Sequence, residues 1–147
     1  MIKAEDLRIG DLVIVNDNCS LEQGTIGKVS EIRSTPLFKE NEGSIGLKPI
    51  PNGRWPWGVL CRNIDPIPLT PEILKKNEFD YLNEEVVTYN KRIHRGTILV
   101  LRPYGKVFDV IIKRNWHARD CHIRYIEYIH ELQHLLWALG RNANLKI

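Results

Sequence analysis

The stretch of residues 123–140, IRYIEYIHELQHLLWALG, constrains the fold of this chain more than any other. Apolar residues recur in it at intervals of three and four, the period of a helix with one buried face. Gly140 suits the position just after a helix, and Arg141 suits the negative end of the helix dipole. The pattern predicts a long C-terminal amphipathic helix. The members of its apolar stripe are Tyr125, Tyr128, Ile129, Leu132, Leu135, Leu136 and Leu139.

Residues 130–134 of this helix read HELQH, a match to the H-E-x-x-H motif of zinc hydrolases. In that motif two histidines bind zinc, the glutamate is the general base and a third protein ligand is needed. No His, Cys, Asp or Glu follows His134, so the third ligand would have to lie upstream. At about 100° per residue, both histidines are predicted to point away from the apolar stripe. A zinc-dependent hydrolase is therefore kept only as an alternative, and we expect no cofactor. Its metal ligands would come from His130, His134, His117 and Cys121.

Length and composition favour an ordinary globular protein. The chain has 147 residues, 43% of them hydrophobic, which is enough for one domain or two small ones with a real core. It has no apolar run long enough to cross a bilayer, and its charged N-terminus lacks a signal-peptide core. We therefore expect a cytoplasmic protein with no membrane partner. Cys19, Cys61 and Cys121 are too few and too scattered for a disulfide framework, so we expect reduced thiols.

The first part of the chain has the pattern of a small β-domain. Short apolar segments at residues 7–15, 25–33, 44–48 and 58–62 are separated by polar loops with glycines near the turns. An extended segment follows them, because Pro66 and Pro68 bias the preceding residues away from helix. We predict an N-terminal SH3-like small β-barrel over residues 1–69.

One loop of this domain is unusually rich in tryptophan and proline. It reads PIPNGRWPWG, with Arg54 next to Trp55 and with Pro56 between Trp55 and Trp57. Two indole rings in one turn suggest two interpretations. They could form an exposed surface for a partner, or they could fold over the open end of the barrel and close it, which we slightly prefer.

The second part predicts an α+β domain over residues 70–147. Thr70 suits a helix N-cap and Pro71 the first helical position, so a short helix should begin there. Three strand patterns follow at residues 86–92, 96–102 and 106–114, the last two joined by Pro103-Tyr104-Gly105 as a hairpin. We expect a three-stranded antiparallel sheet, the long helix, and a last strand at residues 144–147.

Charge is distributed unevenly along the chain. Residues 1–90 carry 10 Lys and Arg against 14 Asp and Glu, whereas residues 91–147 carry 11 against 4. A basic half suggests nucleic-acid binding, although no recognised nucleic-acid-binding motif accompanies it. The alternative is that the two halves attract each other. The residues that would contact phosphates are Lys91, Arg92, Arg95, Lys113, Arg114 and Arg119.

Three segments, KAEDLRIGDLV, IDPIPLTPEILKKNEF and YIEYIHELQHLLWALG, resemble a family of small uncharacterised proteins from gut anaerobes, their phages and integrated mobile elements. The resemblance implies a phage or mobile-element origin and assigns no catalytic residues. In the family the helix typically reads Y-V-H-Q-L-Q, with Gln at the position of Glu131 and often Asn at that of His134. The resemblance therefore implies that Glu131 is not a general base.

Together these observations favour a non-enzymatic interaction protein with a protein partner or self-association. Nucleic-acid binding and zinc-dependent hydrolysis are the alternatives. Two surfaces could carry a partner, the tryptophan loop and the outer side of the long helix. Their residues are Arg54, Trp55 and Trp57 in the loop, and Ile126, His130, His134 and Trp137 on the helix.

Overall fold

The computed structural model describes residues 2–16, 21–33, 43–51, 53–83, 86–114 and 120–147. Within them the chain is α+β, as predicted, with two antiparallel sheets and two α-helices. It divides into two compact units, Met1–Ile67 and Pro68–Ile147, each with its own sheet. No helix among the described residues is both long enough and apolar enough to span a bilayer.

The N-terminal unit consists of five short strands. They are β1 (Leu12–Val15), β2 (Ile26–Arg33), β3 (Ser44–Pro49), β4 (Trp57–Leu60) and β5 (Ile64–Pro66). Their order in the sheet is β4-β3-β2-β1-β5, and each neighbouring pair is antiparallel. The 3-10 turns Ala4–Asp6 and Cys61–Asn63 complete the unit.

This sheet is open in the described residues, so the predicted SH3-like small β-barrel is not confirmed. The edge strands β4 and β5 have four and three residues, and no ladder joins them. Turn and strand patterns predicted four or five strands, and the described residues contain five. Closure additionally needs strand tilt and stagger that bring the two edges together, and these do not appear in a strand pattern.

Apolar residues on alternating positions form the core of the N-terminal unit. Val13 and Leu47 are completely buried, and Val29 is 1% exposed. β2 and β3 approach closely at Gly27, where an added Cβ would meet the Leu47 side chain. The remaining core is supplied mainly by the other strands, through Val15, Ile45, Val59 and Ile64.

The C-terminal unit has more strands than the three that the sequence predicted. Its elements are α1 (Pro71–Lys76), β6 (Asp80–Asn83), β7 (Val87–His94), β8 (Thr97–Tyr104), β9 (Val107–Arg114), β10 (Cys121–Ile126) and α2 (Ile129–Ala138). They form a five-stranded antiparallel sheet in the order β10-β9-β8-β7-β6. The β8–β9 hairpin is confirmed, with Gly105 at a φ of 62° in its turn.

Local signals placed the start of α1 correctly. The Thr70 hydroxyl accepts a hydrogen bond from the Ile73 amide at 3.4 Å, and Pro71 occupies the first helical position. The helix ends at Lys76, and Asn77 follows it with a side chain that is almost buried. The predicted N-cap and the short helix that follows it are therefore confirmed.

The predicted helix over residues 123–140 is wrong in its first part. Residues 121–126 form β10, which pairs with β9, and α2 begins only at Ile129. A segment as short as residues 121–126 fits either a helix or a strand by its pattern alone. Pairing with the edge of β9 makes this segment a strand. The predicted end is correct, because Gly140 has a φ of 66° and Arg141 donates its amide to the Leu136 carbonyl at 2.8 Å.

The C-terminal residues after α2 are held by side chains and do not form the predicted last strand. The Asn77 amide group donates to the Lys146 carbonyl, and its oxygen accepts from the Lys146 amide, both at 2.8 Å. Gln133 donates to the Ala143 carbonyl at 2.9 Å. Two buried amide side chains thus fix this segment next to α1 and α2.

Candidate functional site

The HELQH residues occupy the first turns of α2, and their histidines do not both face outward. His130 is only 6% exposed, so the prediction that it points away from the core is wrong, whereas His134 is half-buried. The His130 ring stacks on Tyr128 at 5.9 Å between centroids and meets the His134 ring edge-on at 5.7 Å. Tyr125 and Tyr128, which the prediction placed on the apolar face, lie before the first residue of the helix. The buried face of α2 instead includes His130 and Gln133.

The central glutamate of the motif has a structural role at the start of α2. One Glu131 carboxylate oxygen accepts from the backbone amides of Glu127 at 2.7 Å and Tyr128 at 3.1 Å. The other accepts from the Arg124 guanidinium at 2.6 Å. Both oxygens are therefore committed to amides and a cation at the helix N-terminus, which is what a capping glutamate does. A general base needs an oxygen directed at substrate or at metal-bound water.

The proposed metal ligands are not assembled in the described part of the chain. No group of three or more His, Cys, Asp or Glu side chains there is placed to hold a metal ion. Cys121 lies at the start of β10, exposed, with its sulfur 3.9 Å from the His122 carbonyl. His117 lies outside the described residues, as does Cys19, and Cys61 is buried.

Two residues of the predicted partner surface on the helix are buried. Ile126 belongs to β10 and is 1% exposed, and His130 is buried. Trp137 alone among the apolar members of that set is exposed, at 67%.

The tryptophan loop is an exposed surface. Trp55 is 75% exposed and Trp57 is 50% exposed, so the interpretation that the two rings close a barrel is wrong. Trp57 is the first residue of the edge strand β4 and pairs with Leu47 of β3. Arg54 is also exposed. The loop thus places two indole rings and a guanidinium beside the edge of a sheet.

The basic residues predicted to contact nucleic acid are divided between two faces of the C-terminal sheet. Arg92 pairs with Ile98, and Ile98 pairs with Lys113, so Arg92 and Lys113 share one face. Lys91 lies on the opposite face, because neighbouring residues of a strand alternate. Lys113 also lies 3.4 Å from Asp120. Arg95 and Arg114 are exposed near strand ends, and Arg119 lies outside the described residues.

A cluster around Asp109 was missed by the sequence reasoning. The Asp109 side chain is 4% exposed and accepts a hydrogen bond from the Arg102 guanidinium on β8. His122 of β10 brings its Nε2 to 2.9 Å from the other carboxylate oxygen, but without the alignment of a hydrogen bond. Tyr125 lies next to this histidine, with 5.0 Å between ring centroids. The sequence feature that could have revealed this cluster is the aspartate inside the apolar strand VFDVII, since a buried carboxylate needs partners. The cluster links three neighbouring strands.

Comparisons with known proteins gave no match: no protein-family model, no curated protein and no solved structure matches this chain.

Proposed function

We propose that this protein is a non-enzymatic binding protein that captures an extended segment of a partner protein on its tryptophan loop and the adjoining strand β4. The observation that carries the proposal is the exposure of Trp55 and Trp57, at 75% and 50%. Large rings in water are costly, and clustered exposed aromatics mark interaction sites on folded proteins. Tryptophan is also among the residues that contribute most to binding energy at protein interfaces.

A backbone contact holds Gly53 of the loop next to Pro49 at the end of β3. The Gly53 amide donates to the Pro49 carbonyl at 2.8 Å and closes the turn after β3. An added Cβ on Gly53 would collide with the Pro49 backbone, so only glycine fits there. Ile50 in the same turn is 46% exposed and adds apolar surface.

The neighbouring edge strand indicates the conformation of the partner. Among the described strands, β4 has a ladder with β3 and none on its other side. An edge strand can accept an extended peptide as an additional strand, with backbone hydrogen bonds giving affinity and alternate side chains giving specificity. Trp57 at the start of β4 would contact apolar side chains of such a peptide. Arg54 favours a peptide with an acidic residue near the same end.

A phage or mobile-element origin belongs to the same proposal and is supported by the resemblance of the three sequence segments. The structural role of Glu131 supports the non-enzymatic part, because its carboxylate is engaged in capping α2. The alternative partner surface on α2 is not part of the proposal, since Ile126 and His130 are buried.

A displayed library of random peptides tests the proposal directly, because selection from it does not require the natural partner to be identified. Peptides selected on the immobilised protein should bind it in solution and shift its tryptophan fluorescence. We expect a variant with Trp55→Ser and Trp57→Ser to lose at least about tenfold in affinity, equivalent to about 1.4 kcal/mol. Trp137→Ser is the matched control, because Trp137 is similarly exposed but lies on α2; it should leave the affinity unchanged.

A second arm tests strand addition. N-methylation of alternate amides in a selected peptide removes the backbone donors that would face β4, and methylation of the intervening amides does not. We expect one methylation pattern to abolish binding and the other to preserve it. The proposal is refuted if no peptide is selected, or if selected peptides bind equally well to the double serine variant.

A further inference from the structure

The C-terminal unit contains a concave basic cleft that is independent of the tryptophan loop. It has a volume of about 360 Å³ and lies between the end of α1, strand β7 and the segment after α2. Five of the residues that line it are cationic. They come from four separate parts of the sequence and are Lys76, Lys91, Arg92, Arg141 and Lys146.

The described residues that line this cleft offset little of its positive charge. Glu78 is the one carboxylate among the described residues that line it. Its side chain is 86% exposed and lies 4.0 Å from the Lys91 ammonium, so it offsets little of the positive potential. Arg141 places its guanidinium 3.5 Å from the His94 ring, which adds no negative charge. Cations gathered in a concavity repel one another and attract anions from solution.

Lys91 is held in position at the cleft. Its ammonium donates a hydrogen bond to the Asn77 carbonyl at 2.6 Å and lies 5.1 Å from the centre of the Phe79 ring. The side chain is 26% exposed, so these contacts leave the charge partly accessible. An ammonium has three donors, and the Asn77 carbonyl occupies one of them. Lys91 is thus a pre-oriented cation.

The opposite wall of the cleft is also fixed. Asn77 is 9% exposed and forms two hydrogen bonds with the Lys146 backbone, in addition to one with the Ile73 carbonyl at 2.8 Å. This arrangement holds Lys146 close to the end of α1. Leu136 and Leu145 add apolar surface to the lining. A site with fixed walls, charged donors and some apolar area has the features of a small-ligand site.

We infer that this cleft binds a small ligand that carries a diphosphate or triphosphate group. Several cations around a space of this size match an anion with two or more charges close together. Arginine forms paired hydrogen bonds with phosphate oxygens, and lysine acts as a point charge. A bounded concavity also favours a small molecule over a polymer, which would need a groove that continues beyond it.

Inorganic pyrophosphate tests whether the cleft binds a diphosphate group by itself. Its binding to the full chain is measured by isothermal titration calorimetry. ATP tests whether a nucleoside increases the affinity, which would identify a nucleotide as the source of the phosphates. We expect saturable binding with one site per chain and a lower affinity at high salt. Arg141→Gln should weaken pyrophosphate binding about tenfold. The double variant Lys76→Gln, Lys146→Gln should weaken pyrophosphate binding to a similar extent. Because both lysines are exposed, we expect this variant to fold, so the test remains valid if Arg141→Gln does not fold.

Lys106→Gln is the matched control, because Lys106 is an exposed lysine in the β8–β9 turn, away from the cleft. It should bind pyrophosphate like the unmodified protein. Absence of binding by both pyrophosphate and ATP at millimolar concentration overturns the inference. So does equal weakening by the cleft and control variants. A single-stranded oligonucleotide that binds more tightly than either probe, with equal sensitivity to all these variants, would assign the basic residues to a nucleic-acid surface instead.

Discussion

Replacing Glu131 by alanine should destabilise the protein, whereas replacing it by glutamine should have a much smaller effect. The Glu131 carboxylate accepts hydrogen bonds from two backbone amides at the start of α2 and from Arg124. Alanine leaves these amides without the acceptor that now satisfies them. Glutamine retains one oxygen acceptor at the same place and is an accepted residue at this position of a capping box.

The size of the loss follows from the contacts. Loss of a capping side chain costs about 0.5–2 kcal/mol, typically about 1. The ion pair with Arg124 adds little, because that arginine side chain is 55% exposed and solvent screens the interaction. We therefore expect Glu131→Ala to lower the free energy of unfolding by about 1–2 kcal/mol and Glu131→Gln by about 0.5 kcal/mol.

Urea denaturation followed by circular dichroism measures both variants. Glu5→Ala is the control for removing an exposed carboxylate, because Glu5 is 74% exposed and pairs with the equally exposed Lys3; it should change the stability by less than about 0.5 kcal/mol. If Glu131→Ala were as stable as the unmodified protein, the capping role would be refuted. The carboxylate would then again be a candidate for the chemistry that the H-E-x-x-H pattern suggests.

Two further predictions concern the cores. Gly27→Ala should lower the free energy of unfolding by about 1–3 kcal/mol, because the new Cβ would lie 2.5 Å from Leu47 Cγ. Gly58→Ala has open space around its Cβ and serves as the control; equal losses in denaturation experiments would contradict this packing explanation. Burial raises the pKa of Tyr89 above its usual value of 10. The folded state therefore favours the neutral phenol of Tyr89. The stabilisation that results is present below about pH 10 and is lost as pH rises through the folded-state pKa. Unfolding free energies measured above pH 10 should thus fall more steeply for the unmodified protein than for Tyr89→Phe, and parallel curves would count against the assignment.

The parts of the fold that were predicted correctly depend on short-range chemistry. The Thr70 cap followed by Pro71 needs only neighbouring residues, and so does the glycine in the turn of the β8–β9 hairpin. Gly140 ends α2 as expected because glycine readily adopts a positive φ. The α+β class also followed from the sequence, since it reflects the alternation of apolar and polar residues along each element.

The orientation and exposure of the candidate site residues could be obtained only from the tertiary structure. The periodicity of residues 123–140 was compatible with one helix, but pairing with β9 makes residues 121–126 a strand and turns His130 inward. The exposure of Trp55 and Trp57 could not be read from a loop sequence that fitted either a buried or an exposed turn.

The sequence by itself determined where α1 begins, where the β8–β9 hairpin turns and where α2 ends, because caps and turns act between residues a few positions apart. Only the tertiary structure decided which strands meet, whether the first sheet closes, and which cations share a cleft. Lys76, Lys91 and Lys146 are far apart in sequence. Asn77, next to Lys76, bonds the Lys146 backbone through its side chain and the Lys91 ammonium through its carbonyl. Such contacts depend on the packing of the whole unit, which no local pattern specifies.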